Sequence, residues 1–252
     1  MVWTHTLNPV VASLGPLEIR WYGIMYVLIF IITYVYARFR IKKDEEIGLT
    51  VDALDWLFVY GVIGMLVGAR VFEVLVYDPS FYFANPGQII AIWKGGLSFH
   101  GGLVGILVAG WWYCRSKKIS LLRVADMLIV PLAIGQALGR LGNFINGELY
   151  GKVTKVAWAV IFPGAEGARH PSQLYEAFYD VVIFSVLFGL RDRKYKPGTL
   201  LALFLIMYAV FRSITEFFRV TNYYVGPLTI GQFLNVFVFL GGVWLLWRVN
   251  KN

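Results

Sequence analysis

Residues 139–151 place an arginine, two asparagines and a glutamate at the end of a long apolar run. They read GRLGNFINGELYG, and the run begins near Val124. An arginine at the centre of a bilayer costs about 2.5–3.5 kcal/mol on insertion scales, so such a residue indicates a task. Arg140, Asn143 and Gly147 follow one another at helical spacing, and a guanidinium group binds phosphate through two parallel hydrogen bonds. This pattern predicts a site for an anionic group at membrane depth.

A second polar stripe lies in the apolar run at 200–218. Four residues spaced four, four and three share one helix face there: Tyr208, Arg212, Glu216 and Arg219. In a purely structural alternative, the charges of this stripe form a ladder that neutralises itself, and Arg140 forms a salt bridge to Glu148 or Glu216. Two intramembrane arginines that face each other, Arg140 and Arg212, would instead make a pocket for a phosphate, and the pattern favours that function.

Five glycines flank the histidine of the third apolar run. Residues 95–105 read GGLSFHGGLVG. Glycines in a membrane helix either permit close helix packing or break the helix around a cavity. A lone histidine on an apolar face is more often a hydrogen-bonded structural residue than a catalyst. As chemistry, His100 is nevertheless the best candidate for a group that changes protonation near neutral pH.

Two further polar features have a structural explanation as good as a functional one. Arg70 and Glu73 stand three apart and can pair on one helix face. The residues RHPSQLYE suit a helix start that Ser172 caps, with Pro171 in the first turn. Glu176 would then lie inside the membrane and need a partner.

Composition places the chain among multi-pass membrane proteins. It has 252 residues, of which 58% are hydrophobic and only 15% are charged, against about 25% charged in a soluble domain. The formal charge of +8 falls in short loops between apolar runs, so anionic lipid explains it better than nucleic acid does. The three histidines are scattered, so we expect neither a metal site nor a cofactor.

Seven apolar runs have the length of a membrane-spanning helix. They cover residues 21–37, 54–77, 89–113, 124–145, 174–190, 200–218 and 229–247. Most lysines and arginines follow the first, third and fifth runs or lie in the C-terminal tail. The positive-inside rule then puts the N-terminus outside and the C-terminus in the cytoplasm. We expect one all-α domain over residues 1–252, with an outward-facing connection at about 147–173 that we call the long loop.

Taken together, the polar blocks resemble the signature of prolipoprotein diacylglyceryl transferases, a family of the bacterial inner membrane. The similar blocks follow the family's order: residues 21–23, 95–102, 139–148 with Gly151, 170–176 and 208–219. The resemblance implies seven helices with the N-terminus outside. It also implies transfer of the diacylglyceryl group from phosphatidylglycerol to the lipobox cysteine thiol of a preprolipoprotein, which forms a thioether and releases glycerol phosphate.

The resemblance further implies which positions are essential. In this sequence they are Tyr22, His100, Arg140, Asn143, Glu148, Gly151, Tyr208, Arg212 and Glu216, and we expect Asn146 to bind substrate as well. Arg140 and Arg212 would hold the phosphate and stabilise the charge it gains as its bond to carbon breaks. The incoming thiol must lose its proton to attack. His100 is the predicted base, with Glu148 or Glu216 in reserve.

Two other classes of protein use similar residues. Intramembrane arginine, glutamate and histidine also mark ion or solute transporters, although these often show repeated halves, which this sequence lacks. A lipid-binding scaffold would have the same pocket without turnover. Transfer of a diacylglyceryl group onto a lipobox peptide distinguishes the enzyme from both.

Overall fold

The computed structural model describes residues 2–15, 17–221 and 223–251, and it is mostly helical. The helices of this described part are α1 (Trp21–Lys43), α2 (Val51–Phe72), α3 (Pro79–Ala84), α4 (Phe99–Ser116), α5 (Leu121–Asn146), α6 (Ser172–Leu190), α7 (Thr199–Thr215) and α8 (Ile230–Lys251). The short strands are β1 (Trp3–Thr4), β2 (Val10–Leu14), β3 (Leu17–Arg20), β4 (Val160–Ile161), β5 (Tyr224–Val225) and β6 (Leu228–Thr229). Strands β1 and β4 pair in parallel, whereas β2 pairs with β3 and β5 with β6 in antiparallel fashion.

The chain is an all-α membrane protein. Within the described residues, six helical segments are long and apolar enough to cross a membrane: Trp21–Lys43, Val51–Tyr77, Leu121–Asn146, Ser172–Leu190, Thr199–Phe218 and Ile230–Lys251. Many large apolar side chains on them are exposed, such as Val27 at 58% and Ile63 at 51%. Such a surface suits contact with lipid rather than with water. Six of the seven predicted runs therefore match a segment of this kind.

The third predicted run begins differently from our expectation. Ile92–Lys94 forms a 3-10 turn, and Gly95 and Gly96 adopt positive φ angles of 88° and 70°. The helix starts only after Ser98, whose hydroxyl oxygen accepts from the Gly101 N–H at 3.1 Å. The expected earlier start is wrong because glycines at positive φ leave the helical region. The resulting α4 has 18 residues and is not among the six segments.

The described chain divides into two compact units, one built from residues 1–36 with 125–252 and one from residues 37–124. A buried core joins α5, α6 and α7 in the first unit: Val130, Ala133, Tyr179, Ile183, Leu187, Leu200 and Phe204. This core fixes three helices whose polar residues form the candidate site. The expectation of a single domain stays a prediction.

Backbone contact between α2 and α4 holds the second unit together. A Cβ added at Gly68 would lie 2.8 Å from the Cα of Gly105, and one at Gly64 would lie 2.6 Å from the Cβ of Ala109. Both helices thus carry small residues four apart, the spacing that allows membrane helices to approach closely. The glycines around His100 therefore do both things that the sequence allowed. Those within α4 serve packing, and the earlier pair interrupts the helix.

Arg70 organises residues 78–98, which we call the Arg70 loop. It is only 7% exposed. Its guanidinium group donates at 2.7–2.9 Å to five oxygens, the carbonyls of Gln88, Ile89, Gly95 and Gly96 and the hydroxyl of Tyr82. Arg70 and Glu73 form no ion pair, because loop carbonyls occupy all three guanidinium nitrogens. The predicted pairing is therefore wrong, and Arg70 serves the loop.

Candidate functional site

A network of alternating charges joins α5, α6 and the end of α7 in the first unit. Glu176 is fully buried and lies between two arginines. The Nε of Arg140 is 2.7 Å from its Oε2, and the Nη1 of Arg219 donates to its Oε1 at 2.6 Å. Glu216 is 3.9 Å from the Nε of Arg219 and forms a close ion pair with Arg212. Three guanidinium groups thus share two carboxylates, which leaves the network with an excess of positive charge.

These pairings only partly follow the sequence spacing. The Arg212–Glu216 pair and the adjacent Arg219 form the ladder that the spacing predicted. Arg140, however, pairs with Glu176 rather than with Glu148 or Glu216. Glu176 thereby gains the partner that its position inside a membrane helix required.

Arg140 has N–H donors that form no hydrogen bond with the described residues of the first unit. Its side chain is 24% exposed, and only its Nε faces the Glu176 carboxylate. Within the described residues its two terminal nitrogens make no hydrogen bond. Tyr26 and Tyr208 lie within electrostatic range of it. A guanidinium group in this state presents a fork of N–H groups that fits a phosphate.

Glu148 ties together the polar end of α5. Its Oε1 accepts from the Nδ2 atoms of Asn143 at 2.9 Å and Asn146 at 3.3 Å. Its backbone carbonyl accepts from the Nε2 of Gln173, and its N–H donates to the Asn143 carbonyl at 3.1 Å. The amides, and not an arginine, are therefore the partners of Glu148 in the described chain. This arrangement holds both predicted asparagines in one fixed cluster.

Ser172 connects the long loop to the start of α6. Its hydroxyl donates to the carbonyl of Leu149 at 3.0 Å, and Leu149 adopts a φ of 58°. Pro171 occupies the N-cap position of α6 and no side chain caps the helix there. The predicted capping by Ser172 is wrong, because its hydroxyl satisfies a carbonyl of the turn that follows Glu148.

Gly151 allows the long loop to pass between the start of α6 and the end of α7. Its N–H donates to the His170 carbonyl, and the next N–H, that of Lys152, donates to the Phe218 carbonyl, both at 2.8 Å. A Cβ at Gly151 would lie 2.9 Å from the Cβ of His170 and would overlap the Phe218 carbonyl oxygen. A larger residue would therefore displace the segment that carries Glu216. Packing explains Gly151, and direct contact with substrate stays a prediction.

Beyond Gly151 the two arms of the long loop pair with each other. The His170 N–H donates to the Lys152 carbonyl at 3.0 Å, and the Thr154 N–H donates to the Ala168 carbonyl at 2.9 Å. Burial lowers the pKa of His170, whose Nδ1 is 3.0 Å from the hydroxyl of Tyr175. These bonds make a paired stem at the base of the loop.

Tyr22 lies against α5 because Gly142 leaves space for its ring. A Cβ at Gly142 would be 3.0 Å from the Tyr22 Cδ2. The Tyr22 hydroxyl is 3.1 Å from that of Tyr26, which lies within electrostatic range of Arg140 and Glu148. Sequence reasoning missed Tyr26, although its spacing of four from Tyr22 is the signal that could have found it.

The remaining side chains of this region are Tyr208 and a buried acid. Tyr208 stacks on Phe204 with ring centroids 5.7 Å apart and lies within electrostatic range of Arg212 and Arg140. Asp180 is 1% exposed, and neither of its carboxyl oxygens has a hydrogen-bond partner among the described residues. Sequence reasoning missed Asp180, which follows Glu176 by one helical turn.

His100 belongs to the second unit and lies in the first turn of α4. Its Nδ1 is 3.0 Å from the hydroxyl of Tyr77, the last residue of the π-helix Glu73–Tyr77. Turns of π-helix are rare in proteins, and those that occur are often found at functional sites. The wider turn rotates the side chains that follow it relative to those of a regular α-helix. The Nε2 of His100 makes no hydrogen bond within the part of the chain that is described. The imidazole is thus held at one nitrogen and open at the other.

Relatives of the chain match nearly its whole length. A family model described as "Prolipoprotein diacylglyceryl transferase" matches residues 9–248. A protein from Oleidesulfovibrio alaskensis named phosphatidylglycerol--prolipoprotein diacylglyceryl transferase is 42% identical, over 100% of this chain and 97% of its own length. Proteins with the same name from Geobacter sulfurreducens and Bordetella avium are 41% and 40% identical. They cover 98% and 94% of this chain and 96% and 92% of their own length.

Proposed function

The chain belongs to the prolipoprotein diacylglyceryl transferase family, and we infer that it transfers the diacylglyceryl group of phosphatidylglycerol to prolipoproteins. It is a transferase of bacterial lipoprotein maturation. The observation that carries the proposal for its site is the network of Arg140, Glu176, Arg219, Glu216 and Arg212. Its excess of positive charge and its open fork of donors suit the phosphate of an anionic lipid.

In the proposed site, Arg140 and Arg212 hold the lipid phosphate. Each arginine is anchored by a buried carboxylate, Glu176 for Arg140 and Glu216 for Arg212. Such anchoring fixes the direction of the donors before substrate arrives, which is how preorganised charges lower a barrier in a site of low dielectric constant. Asn143, Asn146 and Tyr208 orient the head group around this clamp. Glu148 keeps the two amides in place and is not the base.

The proposed reaction exchanges a carbon–oxygen bond for a carbon–sulfur bond. The thiolate of the lipobox cysteine attacks the glyceryl carbon that bears the phosphate and forms the thioether. The carbon–oxygen bond breaks, its electron pair stays on the phosphate oxygen, and glycerol phosphate leaves. The phosphate group gains negative charge in this step, so the arginines stabilise the transition state more than the ground state. The nucleophile comes from the peptide, so the mechanism does not use Cys114.

His100 is the proposed base for the thiol proton. In the proposed tautomer the proton is on Nδ1 and is donated to the Tyr77 hydroxyl oxygen, which leaves Nε2 to accept the thiol proton. A thiol is a weak nucleophile until it loses its proton, and a histidine accepts protons near neutral pH. The alternative bases in the first unit are already engaged, since Glu148 accepts from two amides and Glu216 is paired with Arg212.

We also propose that the protein crosses the bacterial inner membrane seven times. In this proposal α4 is a membrane span in addition to the six segments named above. The N-terminus and the long loop lie outside, and the C-terminus lies in the cytoplasm. The last turns of α1 and α8 carry basic residues, as the positive-inside rule requires of cytoplasmic ends: Arg40, Lys42, Lys43, Arg248 and Lys251.

One assay tests the function and the base together. The purified full-length protein is incubated in vesicles that contain phosphatidylglycerol with a peptide that carries a lipobox cysteine. We expect a mass gain of one diacylglyceryl group on that cysteine and an equal amount of glycerol phosphate. Bound lipid without product would instead indicate a lipid-binding scaffold. We expect His100→Gln to lose turnover while it still binds lipid, and near-complete activity in this variant would overturn the assignment of the base.

A further inference from the structure

The first turn of α8 packs directly on the carboxylate of Glu216. A Cβ at Gly231, the second residue of α8, would lie 2.7 Å from the Oε1, 2.9 Å from the Cδ and 3.0 Å from the Oε2 of Glu216. A real Cβ does not approach other atoms this closely, so only glycine permits the arrangement. Glu216 is 4% exposed, so its carboxylate can shift only against neighbouring protein atoms and not into solvent.

The start of α8 is itself fixed. Thr229 and Gln232 bond reciprocally, with the Gln232 N–H donating to the Thr229 Oγ1 at 3.1 Å and the Thr229 N–H donating to the Gln232 Oε1 at 3.2 Å. This pattern is a capping box, which stabilises a helix start. In addition, the Ile230 N–H donates to the Tyr223 carbonyl at 3.0 Å. A methyl group at position 231 would therefore displace the carboxylate rather than the helix.

The Glu216 carboxylate is thus surrounded by two arginines and the first turn of a helix. Arg212 forms an ion pair with it, Arg219 lies 3.9 Å away, and the backbone of Gly231 covers a third side. The N-terminal turn of a helix carries partial positive charge and favours a nearby anion. A carboxylate in such surroundings serves as a stationary counter-ion.

We propose that Gly231 is a positioning residue of the transferase site. It sets the place of the Glu216 carboxylate and, through the ion pair, the direction in which the Arg212 guanidinium group points. The proposal rests on the proposed function, in which Arg212 holds the lipid phosphate. It also assigns Glu216 to the support of Arg212 and removes it as a reserve base for the thiol.

The test is Gly231→Ala in the full-length protein, assayed in phosphatidylglycerol vesicles with a lipobox peptide. A misplacement of about 1 Å can cost a rate factor of about 10 to 100, and we expect a loss of kcat of that order. The KM for the peptide should stay close to the wild-type value, because Gly231 is proposed to position Arg212, which holds the lipid phosphate and not the peptide.

Two other glycines of α8 provide matched controls. A Cβ at Gly241 would meet open space, so Gly241→Ala should behave as the wild type. A Cβ at Gly242 would lie 3.0 Å from the Cβ of Leu205 and close to Ile206 on α7. Gly242→Ala should therefore lower the thermal unfolding temperature with kcat per folded molecule preserved. A loss of kcat confined to Gly231→Ala distinguishes positioning from general packing.

A second variant protects the test against misfolding. Glu216→Asp shortens the side chain by one methylene group and makes room for the added methyl. We expect Gly231→Ala with Glu216→Asp to be faster than Gly231→Ala alone, although Glu216→Asp by itself is slower than the wild type. The same double variant decides the case if Gly231→Ala does not fold, since recovery of folded, active protein is expected there.

The proposal is overturned if Gly231→Ala matches Gly241→Ala, or if the double variant recovers nothing. Either result would mean that the contact with Glu216 does not control Arg212. A wild-type protein without any transfer would instead contradict the proposed function, so the two failures are distinguishable.

Discussion

Two arginines in membrane helices, Arg70 and Arg140, are satisfied in opposite ways. The guanidinium group of Arg70 is buried and donates to four backbone carbonyls and the Tyr82 hydroxyl. That of Arg140 is partly exposed, faces one carboxylate through Nε and leaves two nitrogens without a hydrogen bond in the described chain. The saturated group can only hold its loop, whereas the partly satisfied group can bind a ligand.

The difference lies in the kind of acceptor as well as in the number of bonds. The five acceptors of Arg70 are four carbonyl oxygens and one hydroxyl oxygen, and all of them are neutral, so they offer it no compensating charge. Glu176 neutralises charge but has only two oxygens, which it shares between Arg140 and Arg219. A shared carboxylate fixes an arginine without using up its donors. Of these two arginines, only Arg140 has N–H donors in excess of the acceptors around it in the described chain.

The largest effect is expected from Arg140→Gln. Loss of one preorganised charged donor should lower the transfer rate by about 10²–10³-fold, which corresponds to about 3–4 kcal/mol of transition-state stabilisation. The measurement is the rate of lipobox-peptide modification, with thermal unfolding as the control. A variant that lost thermal stability but kept its turnover would show that Arg140 is structural, as Arg70 is.

Glu176→Gln should act mainly on stability. It leaves Arg140 and Arg219 without their shared counter-ion, and breaking a buried ion pair from one side costs about 3 kcal/mol. The matched variant is Asp180→Asn, one turn further on the same helix, which removes a carboxyl group that has no hydrogen-bond partner among the described residues. Asp180→Asn should keep or raise the thermal unfolding temperature. Equal destabilisation by the two variants would contradict the role given to Glu176.

Arg70→Lys tests the arginine whose guanidinium nitrogens all donate hydrogen bonds. Lysine keeps the charge but cannot direct donors to four carbonyls in the plane of a guanidinium group. We expect a loss of about 2 kcal/mol of stability, since buried carbonyls are left without donors. Hydrogen exchange in residues 86–96 should rise and exchange in α8 should not. Unchanged exchange in the loop would show that charge alone, and not the fork, is what the Arg70 loop requires.

The smallest effect is expected from Tyr77→Phe. It tests whether His100, like Arg140, is held by a protein partner at one nitrogen and is free to act on substrate at another. Removal of the hydrogen bond that Nδ1–H donates to the Tyr77 hydroxyl should cost about 1 kcal/mol, or a severalfold loss of kcat. Combined with His100→Gln, the substitution should have no further effect, because Tyr77 is expected to act only through the imidazole. Additive losses in the double variant would place Tyr77 in another role.

Sequence reasoning identified the arginines and glutamates of the charge network as candidates more readily than it identified which of them pair. Arg140, Arg212 and Glu216 stand out because charge in an apolar run is costly wherever it pairs. The Arg212–Glu216 pair was predictable because the two residues are four apart in the continuous helical segment Thr199–Phe218. That Arg140 pairs with Glu176 was not, because the contact depends on how α5 packs against α6.

The same limit applies to backbone structure. The apolar run at 89–94 continues the composition of a membrane helix, and hydropathy alone does not mark where the helix begins. Gly95 and Gly96 carry that information through their positive φ, and the Arg70 bonds that keep them so come from a distant segment. Tyr77 was equally hidden, since a π-turn has no signature in periodicity.

The paired stem of the long loop has a consequence for protein engineering. Its rungs lie between residues 151 and 154 on one arm and 168 and 170 on the other. Further out, Val160 exchanges two backbone hydrogen bonds with Arg169, and β4 pairs with β1. At the tip, Gly164 has a φ of 71°, and a Cβ there would meet open space. A foreign epitope spliced in at Gly164 should therefore leave catalysis intact. Antibody access to that epitope in intact spheroplasts would report which side of the membrane the loop faces.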